Sequence, residues 1–375
     1  MNKAHVELHD GDVLAQVSGH TGLITLNRAR ALNALSLSMV RDITQVLLAW
    51  QTDDTVKAVA MRGMGREGAF GAFCAGGDIR FFHQAALAGD PQLEDFFTEE
   101  YALNYLIHTY SKPYIAFMDG IVMGGGMGLS QGAAFRLVTE RTQMAMPETH
   151  IGLFPDVGGG YFLSRLAGAT GEFLGLTGQT LGGSEAVAAG LADAQVASSQ
   201  LPHLWAGLTS QAWSDGKAVL NWLRSQVDTQ VPAAPVWQHS DMQQVFALPT
   251  VMAMMYALTT LGQGPGPNAA WAQTTLEVLH HRSPLMLCVV LEQIRRARAL
   301  SLADDLRMER DMVRHCFHLR PLADSETVEG IRALAVDKDK QPQWKPQRVS
   351  EVDAAEVESF FSHPWPAHAH PLRGL

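Results

Sequence analysis

The first 200 residues alternate short apolar segments with segments whose apolar residues recur at helical spacing. Val13–Val17 and Leu23–Leu26 predict two strands, because the glycine-bounded residues 19–22 between them favour a tight turn. Ser36 is typical of a helix N-cap, since the apolar residues after it recur every three or four positions. Strands that alternate with helices predict a layered α/β fold with a largely parallel sheet. Further strands are expected at Val56–Arg62, Pro113–Met118, Leu137–Glu140 and Met144–Met146, and helices at Asp78–Ala88, Leu93–Tyr110 and Gly124–Ala134.

The pattern changes near residue 200, after which the chain is mainly helical in periodicity. Two proline-rich segments, 232–235 and 262–267, interrupt this part as linkers would. Leu285–Leu300 predicts one helix, and Ser301 with Asp304 predicts the cap of the next. We therefore expect an α/β core carrying the site over residues 1–200 and a mainly helical C-terminal region over 201–375. Residues 363–370, rich in proline and histidine, are expected to form a loose tail.

Composition excludes several classes of function. The chain has 375 residues, 47% of them hydrophobic, and a formal net charge of −10. An acidic chain argues against a nucleic-acid partner and against a polybasic membrane anchor. No apolar stretch reaches the roughly 20 residues of a transmembrane helix. Three widely spaced cysteines favour a reducing compartment, and the start of the chain, with Glu7, does not resemble a signal or transit peptide, so a cytoplasmic location is expected.

Two glycine-rich turns lie at predicted strand-to-helix junctions, Phe73–Asp78 and Met123–Gly128. Neither is followed by the Lys-Ser/Thr pair of a phosphate-binding loop. Two such turns can each supply one backbone N–H to a single oxygen, which is the arrangement of an oxyanion hole. The alternatives are close packing of helix on sheet and, for Asp78, a helix cap.

Two carboxylates, Glu148 and Asp156, are eight residues apart in apolar surroundings. Burial of this kind raises a carboxyl pKa and suits acid–base chemistry, although helix capping is the alternative for both. Glu99 and Glu100 lie in a predicted helix, where a solvated face is the usual interpretation. The histidines lack the spacing of metal ligands, and we expect no metal site.

Together these segments resemble the crotonase, or enoyl-CoA hydratase/isomerase, superfamily, and within it the 3-hydroxyisobutyryl-CoA hydrolase branch. The run Ala145–Tyr161 is specific to the branch, whereas the glycine turns are specific only to the superfamily. The resemblance is carried by residues 26–35, 73–80, 112–113, 123–130, 139–140, 145–161, 329–333, 337–339 and 342–346.

The resemblance implies a crotonase-like spiral of β-β-α turns with a C-terminal helical region. It implies an acyl-CoA substrate whose thioester oxygen is bound by the N–H groups of Gly77 and Gly125. Glu148 falls on the catalytic glutamate and Asp156 on its partner acid. CoA is part of the substrate, and no cofactor is implied. Substrate contacts are expected from Glu100, Ala75, Asp78, Ile79 and Gly124.

Gly128 occupies the position at which enoyl-CoA hydratases carry a second catalytic glutamate. The resemblance therefore favours hydrolysis of a short 3-hydroxyacyl-CoA, with 3-hydroxyisobutyryl-CoA as in valine degradation. An isomerase or hydratase of the superfamily is the enzymatic alternative, and a scaffold that binds CoA or a partner without turnover is the other. A homo-oligomer is compatible with the resemblance. Residues 201–268 match the branch poorly and are expected to form a lid or a subunit contact, and Ala29 replaces the family's usual proline.

Overall fold

The computed structural model describes residues 8–375, so Glu7 and most of the segment used to argue against a leader peptide lie outside the described residues. The described chain is a mixture of strands and helices, as expected for the α/β class. Its strands are β1 (Val13–Ser18), β2 (Thr21–Leu26), β3 (Ala58–Gly65), β4 (Gly68–Ala69), β5 (Tyr114–Met118), β6 (Ile121–Met123), β7 (Phe135–Thr139), β8 (Gln143–Ala145) and β9 (Ala194–Val196).

The helices follow the predicted order through the first 200 residues and dominate the rest. In chain order they are α1 (Leu37–Gln51), α2 (Ile79–Ala88), α3 (Gln92–His108), α4 (Gly125–Gln131), α5 (Gly159–Leu163), α6 (Thr170–Thr177), α7 (Gly183–Ala188), α8 (Leu201–Gly207), α9 (Gly216–Ser225), α10 (Ser240–Phe246), α11 (Val251–Gln263), α12 (Ala269–His280), α13 (Pro284–Ala297), α14 (Leu302–Phe317), α15 (Glu326–Ile331) and α16 (Ala354–Ser359).

The chain divides into two compact units, each built from three separate segments. The first contains the described chain up to Gly77, then Glu99–Ala145 and Thr180–Ala234. The second contains Asp78–Thr98, Met146–Gln179 and Pro235–Leu375. The strands all lie before residue 197, within the part of the chain that the structure describes.

The first unit is built on one sheet. β1 and β2 form an antiparallel hairpin, and β2, β3, β5, β7 and β9 continue as parallel neighbours in that order. β6 and β8 form a separate parallel pair. Gly22 of β2 lets helix α1 pack closely on the sheet, because a Cβ there would lie 2.4 Å from the Trp50 ring. Ser36 accepts the N–H of Met39 as the N-cap of α1, which confirms that prediction.

The segment after residue 200 contributes to the core of the first unit. The Trp205 ring packs edge-on against Phe117 with centroids 5.2 Å apart. The apolar side chains of α8 and α9 pack against apolar side chains on one face of the sheet and form a single hydrophobic cluster with them. The expectation of a lid is therefore wrong for residues 201–223, which include core elements, whereas a subunit contact through their exposed residues stays a prediction. The buried members are Leu201, Leu204, Trp205, Leu208, Trp213, Val219 and Leu223.

The second unit is helical. Helix α13 is buried over most of its length, and Ser283 caps it by accepting the N–H of Met286 at 3.1 Å. Ser301 caps α14 by accepting the N–H of Asp304 at 3.1 Å, as predicted.

The C-terminal segment is packed on α14, so the expectation of a loose tail is wrong. The His363 ring nitrogen lies 2.7 Å from a carboxylate oxygen of Asp311, a residue that is buried on α14. Trp365 stacks on the guanidinium groups of two arginines of the same helix, and Leu372 is buried. Histidine, tryptophan and leucine thus provide specific contacts that the proline-rich composition did not suggest.

Candidate active site

The two glycine turns of the first unit lie side by side. The Cys74 carbonyl accepts the N–H of Met123 at 3.0 Å, which joins the two turns by a backbone hydrogen bond. A Cβ on Gly76 would lie 3.5 Å from the backbone nitrogen of Gly125. The structure therefore brings the residues around Gly77 and Gly125 together within one unit, as two strand-to-helix turns were predicted to do.

Backbone conformation explains why these turns carry glycine. Gly76 has a φ of +100°, and Gly124 has a φ of +49° with a ψ of −118°, both outside the range that L side chains adopt readily. Gly124 is the N-cap of α4, so Gly125 is the first residue of the helix. The N–H groups of the first helical turn, that of Gly125 included, have no carbonyl acceptor within the helix. The N–H of Ala75 donates to the Leu32 carbonyl at 3.0 Å and anchors the first turn.

Glu100 lies directly against the second glycine turn. Its side chain is 2% exposed, and its Oε1 would be 2.5 Å from a Cβ placed on Gly125. Burial and, to a smaller extent, the negative charge of Glu100 together raise the pKa of the neighbouring Cys74 thiol to about 12. The interpretation of Glu100 as part of a solvated face is therefore wrong, whereas Glu99 is paired with Arg41 at the surface, 2.6 Å apart.

Glu148 begins a single helical turn, Glu148–Ile151, in the second unit. Its side chain is 6% exposed, and its carbonyl accepts the N–H of Leu153 at 3.0 Å. Gly152 is the C-cap of the turn; its φ is +63°, and its carbonyl accepts the Thr327 hydroxyl at 2.6 Å. Thr327 of helix α15 thus binds the end of this turn.

Asp156 lies eight residues later and is also buried. Its carbonyl accepts the N–H of Gly159 at 2.8 Å, and the intervening Val157 has a φ of +56°. The N-cap of α5 is Gly158. The alternative that the Asp156 side chain caps this helix is therefore wrong.

The carboxylate that binds the start of α5 is Glu309 of α14, which our sequence reasoning missed. Its two oxygens accept the N–H groups of Gly158 and Gly160, at 2.7 and 2.9 Å. Asp305, one turn earlier on α14, is equally buried. A signal was available in the sequence, because the helical spacing of Leu302, Leu306 and Val313 marks an apolar face of α14, and residues 305 and 309 lie on that same face.

Asp78 and Ile79 belong to the second unit. Asp78 is the N-cap of α2 and accepts the N–H of Phe81 at 3.4 Å, so its capping role is confirmed. Ile79 is the first residue of the same helix. The following phenylalanines pack on one another, with the Phe82 and Phe96 rings 4.8 Å apart. Substrate contact from Asp78 and Ile79 stays a prediction.

The predicted site residues therefore fall into two groups, each gathered within one unit. Residues 8–375 contain no cluster of three or more potential metal ligands. The cysteines of the described chain are free thiols. None of the helices formed by these residues is long and apolar enough to cross a membrane. The first unit holds Ala75, Gly77, Glu100, Gly124 and Gly125, and the second holds Asp78, Ile79, Glu148 and Asp156.

Known relatives cover nearly the whole chain. The chicken (Gallus gallus) protein named 3-hydroxyisobutyryl-CoA hydrolase, mitochondrial, is 39% identical over 352 residues, which are 93% of this chain and 88% of the relative. The Arabidopsis thaliana protein named 3-hydroxyisobutyryl-CoA hydrolase 1 is 38% identical over 352 residues, with 93% and 91% covered.

Solved structures confirm the fold. A carnitinyl-CoA dehydratase from Mycobacterium thermoresistibile is 37% identical, with a TM-score of 0.84 over 95% of this chain and 98% of that one. An enoyl-CoA hydratase from Rhodobacter sphaeroides is 34% identical, with a TM-score of 0.80 over 94% and 97%. The sequence profile of the enoyl-CoA hydratase/isomerase family matches residues 21–361. The crotonase-type expectation is confirmed, and the chain belongs to the enoyl-CoA hydratase/isomerase family.

Proposed function

We propose that this protein hydrolyses the thioester of a short 3-hydroxyacyl-CoA, with 3-hydroxyisobutyryl-CoA as the favoured substrate. The relatives named 3-hydroxyisobutyryl-CoA hydrolase support this proposal, because they are 38–39% identical to this protein over 93% of its chain. The reaction consumes water and releases a 3-hydroxy acid and the free thiol of CoA. A role in valine catabolism is part of the same proposal.

The proposal depends above all on the glycine at position 128. Gly128 is buried on α4, three residues after the oxyanion glycine Gly125, where the family's hydratases carry a glutamate. Addition of water to an enoyl-CoA normally uses two carboxylates to hold and activate that water. Glycine at this position, together with a retained buried Glu148, favours a reaction that needs one carboxylate at the carbonyl carbon.

The roles follow from the chemistry of each group. The N–H groups of Gly77 and Gly125 donate to the thioester oxygen and stabilise the negative charge that develops on it. Glu148 either attacks the carbonyl carbon to form a mixed anhydride or removes a proton from the attacking water. Asp156 orients the substrate hydroxyl or delivers a proton to the departing thiolate. Glu100 supports binding of the acyl group.

The two routes for Glu148 differ in the origin of one oxygen atom of the product when water opens the anhydride at the glutamyl carbon. A single turnover in ¹⁸O-labelled water tests for that case. Unlabelled acid means that an oxygen of Glu148 was transferred and that water opened an anhydride at the glutamyl carbon. Labelled acid in the first turnover means that water attacked the substrate's carbonyl carbon, either directly or after an anhydride had formed.

Thiol release tests the proposed function. The purified protein is mixed with 3-hydroxyisobutyryl-CoA, 3-hydroxypropionyl-CoA and acetyl-CoA, and free CoA is measured with a thiol reagent. We expect release to be fastest from 3-hydroxyisobutyryl-CoA and about 100-fold slower or worse in Glu148→Gln. Glu99→Gln is the matched control, since Glu99 is paired with Arg41 at the surface. Undiminished release in Glu148→Gln would contradict the role of Glu148.

Hydration or dehydration is the second candidate function. It is favoured by the two solved structures named as a carnitinyl-CoA dehydratase and an enoyl-CoA hydratase, at 37% and 34% identity. Loss of enoyl absorbance from crotonyl-CoA measures hydration, and its gain from a 3-enoyl-CoA measures isomerisation. Efficient turnover in either assay, without thiol release, would overturn the hydrolase proposal. CoA binding with no turnover at all would support a scaffold instead.

Location and assembly belong to the same proposal. Free cysteines at positions 74, 288 and 316 support a reducing compartment, and we propose the cytoplasm. The chicken relative is named mitochondrial, so immunodetection in fractionated source cells is the deciding measurement. Light scattering on the purified protein measures whether it forms a homo-oligomer.

A further inference from the structure

The turn that follows Asp156 is bound by a carboxylate about 150 residues further along the chain. Glu309 is completely buried on α14. One of its oxygens accepts the N–H of Gly158 at 2.7 Å, and the other accepts the N–H of Gly160 at 2.9 Å. Both oxygens of one side chain therefore hold the backbone immediately after Asp156.

The backbone immediately before Asp156 is held by the same network. Gln293 of α13 is completely buried, and its side-chain nitrogen donates to the Pro155 carbonyl at 2.7 Å. The same nitrogen lies 3.1 Å from an oxygen of Glu309. Asp156 is thus flanked on both sides by backbone atoms that bind one pair of buried side chains.

The conformation of this segment needs such support. Val157 has a φ of +56°, a left-handed conformation that is unfavourable for a β-branched residue. A Cβ on Gly160 would lie 2.6 Å from a carboxylate oxygen of Asp305, so the backbone is tightly seated on α14. Asp305 also accepts the N–H of Tyr161 at 2.8 Å.

The charge on this network reaches Asp156. Burial raises the pKa of Glu309 well above its ordinary value, and the negative charges of Asp305 and Asp156 raise it further. Burial likewise raises the pKa of Asp305 to about 7. The two carboxyls of α14 and the carboxyl of Asp156 are therefore electrostatic neighbours within the second unit.

We propose that Glu309 is a positioning residue for Asp156: with Gln293 it fixes the backbone on both sides of that residue and so fixes the orientation of its carboxyl. This inference rests on the proposed function, in which Asp156 acts on the substrate. Glu309 itself acts only through the turn that it binds.

Hydrogen exchange tests the positioning directly and needs no enzymatic activity. Glu309→Gln keeps the shape of the side chain, but its amide nitrogen cannot accept an N–H, so one of the two bonds to Gly158 and Gly160 is lost. We expect the amides of residues 158–161 to exchange about 10-fold faster than in the wild type. Asp304→Asn is the matched control, because Asp304 is exposed on the same helix. Unchanged exchange at residues 158–161 would overturn the inference.

A double-mutant cycle separates positioning from general stability. Glu309→Gln is expected to lower kcat about 100-fold, with KM within about twofold of the wild type, because the carboxyl of Asp156 is misplaced. Adding Glu309→Gln to Asp156→Asn should cost nothing further, since the first change acts through the second residue. Additive losses, or a raised KM with an intact kcat, would show that Glu309 has only a structural role.

Two further outcomes are informative. If Glu309→Gln does not fold, Gln293→Met takes its place, since it removes the bond to Pro155 and leaves both bonds from Glu309 to the turn. An unchanged kcat in that variant would overturn the inference. If the wild type releases no thiol from any thioester, the proposed function fails, while the exchange measurement still decides whether Glu309 holds the turn.

Discussion

Gly330 of α15 lies against the backbone of Ile151 so closely that a Cβ on it would be 2.3 Å from the Ile151 carbonyl carbon. Ile151 is the last residue of the turn that begins at Glu148. Gly152 meets the same helix in the same way, since its Cβ would be 2.3 Å from the Glu326 carbonyl oxygen. Helix α15 and the turn at Glu148 therefore pack closely because Gly330 and Gly152 have no side chain at their contact.

Replacing Gly330 by alanine should displace the turn that carries Glu148. We expect Gly330→Ala to lower the free energy of unfolding by about 1–3 kcal/mol, as an overpacked contact does, and to slow thiol release. Urea denaturation and the thiol assay measure the two effects. Gly266→Ala is the control, because nothing lies within 4 Å of its added Cβ. Equal stability and activity of the two variants would contradict the close fit.

Replacing Gly125 by alanine should impair the proposed oxyanion site. The added Cβ would lie 2.5 Å from Oε1 of Glu100, so either the carboxylate or the turn must move. An N–H donor shifted from its place stabilises the developing charge less, and loss of one such donor costs about 100-fold or more in kcat. We expect a loss of that size, measured by steady-state thiol release. A kcat within twofold of the wild type would argue against an oxyanion role for Gly125.

Two glutamates on α15 should make opposite contributions to pH-dependent stability. Burial raises the pKa of Glu326 to about 7, although bonds from Ser283 and from the Lys345 N–H partly offset this. The folded state therefore keeps a proton that the unfolded chain releases near pH 4.3. The contribution of Glu326 is present below about pH 4 and is lost as the pH rises to about 7.

Hydrogen bonds from Arg332 lower the pKa of Glu329, with oxygen and nitrogen 2.7 Å apart, so its contribution is lost as the pH falls. We expect the wild type to lose about 3 kcal/mol relative to Glu326→Gln between pH 4 and pH 8. Relative to Glu329→Gln, it should instead gain stability over the same range. Urea titrations at several pH values measure both differences. The same sign for both variants would contradict the assignment.

The C-terminal segment should stabilise α14. The Trp365 ring lies 4.8 Å from the guanidinium carbon of Arg310 and 4.5 Å from that of Arg314. Trp365→Ala is expected to lower the free energy of unfolding by about 1–3 kcal/mol and to expose residues 363–375 to proteolysis. His368→Ala should leave both properties unchanged, because His368 is exposed in the same segment. Equal proteolysis of both variants would show that Trp365 does not anchor the segment.

Local patterns predicted the elements that depend on neighbouring residues. Ser36 and Ser301 cap the helices expected of them, and the hairpin of β1 and β2 forms where glycine bounds a turn. The three-residue strand β6 was missed, whereas β8, of the same length, was predicted, because three residues carry too little periodicity to separate strand from loop consistently. The tail was misjudged because its contacts are made with a helix that lies about 50 residues earlier in the chain.

The sequence by itself determined the α/β class, the family resemblance, the two glycine turns and the pair Glu148 and Asp156. Each of these depends on residue types and their spacing within a short segment. Only the tertiary structure decided that Glu100 lies buried against Gly125 and that Glu309 holds the turn after Asp156. The first pair of residues is 25 positions apart along the chain, and the second is about 150 positions apart. Burial and hydrogen bonding at such separations depend on how helices pack, which no local pattern of side chains specifies.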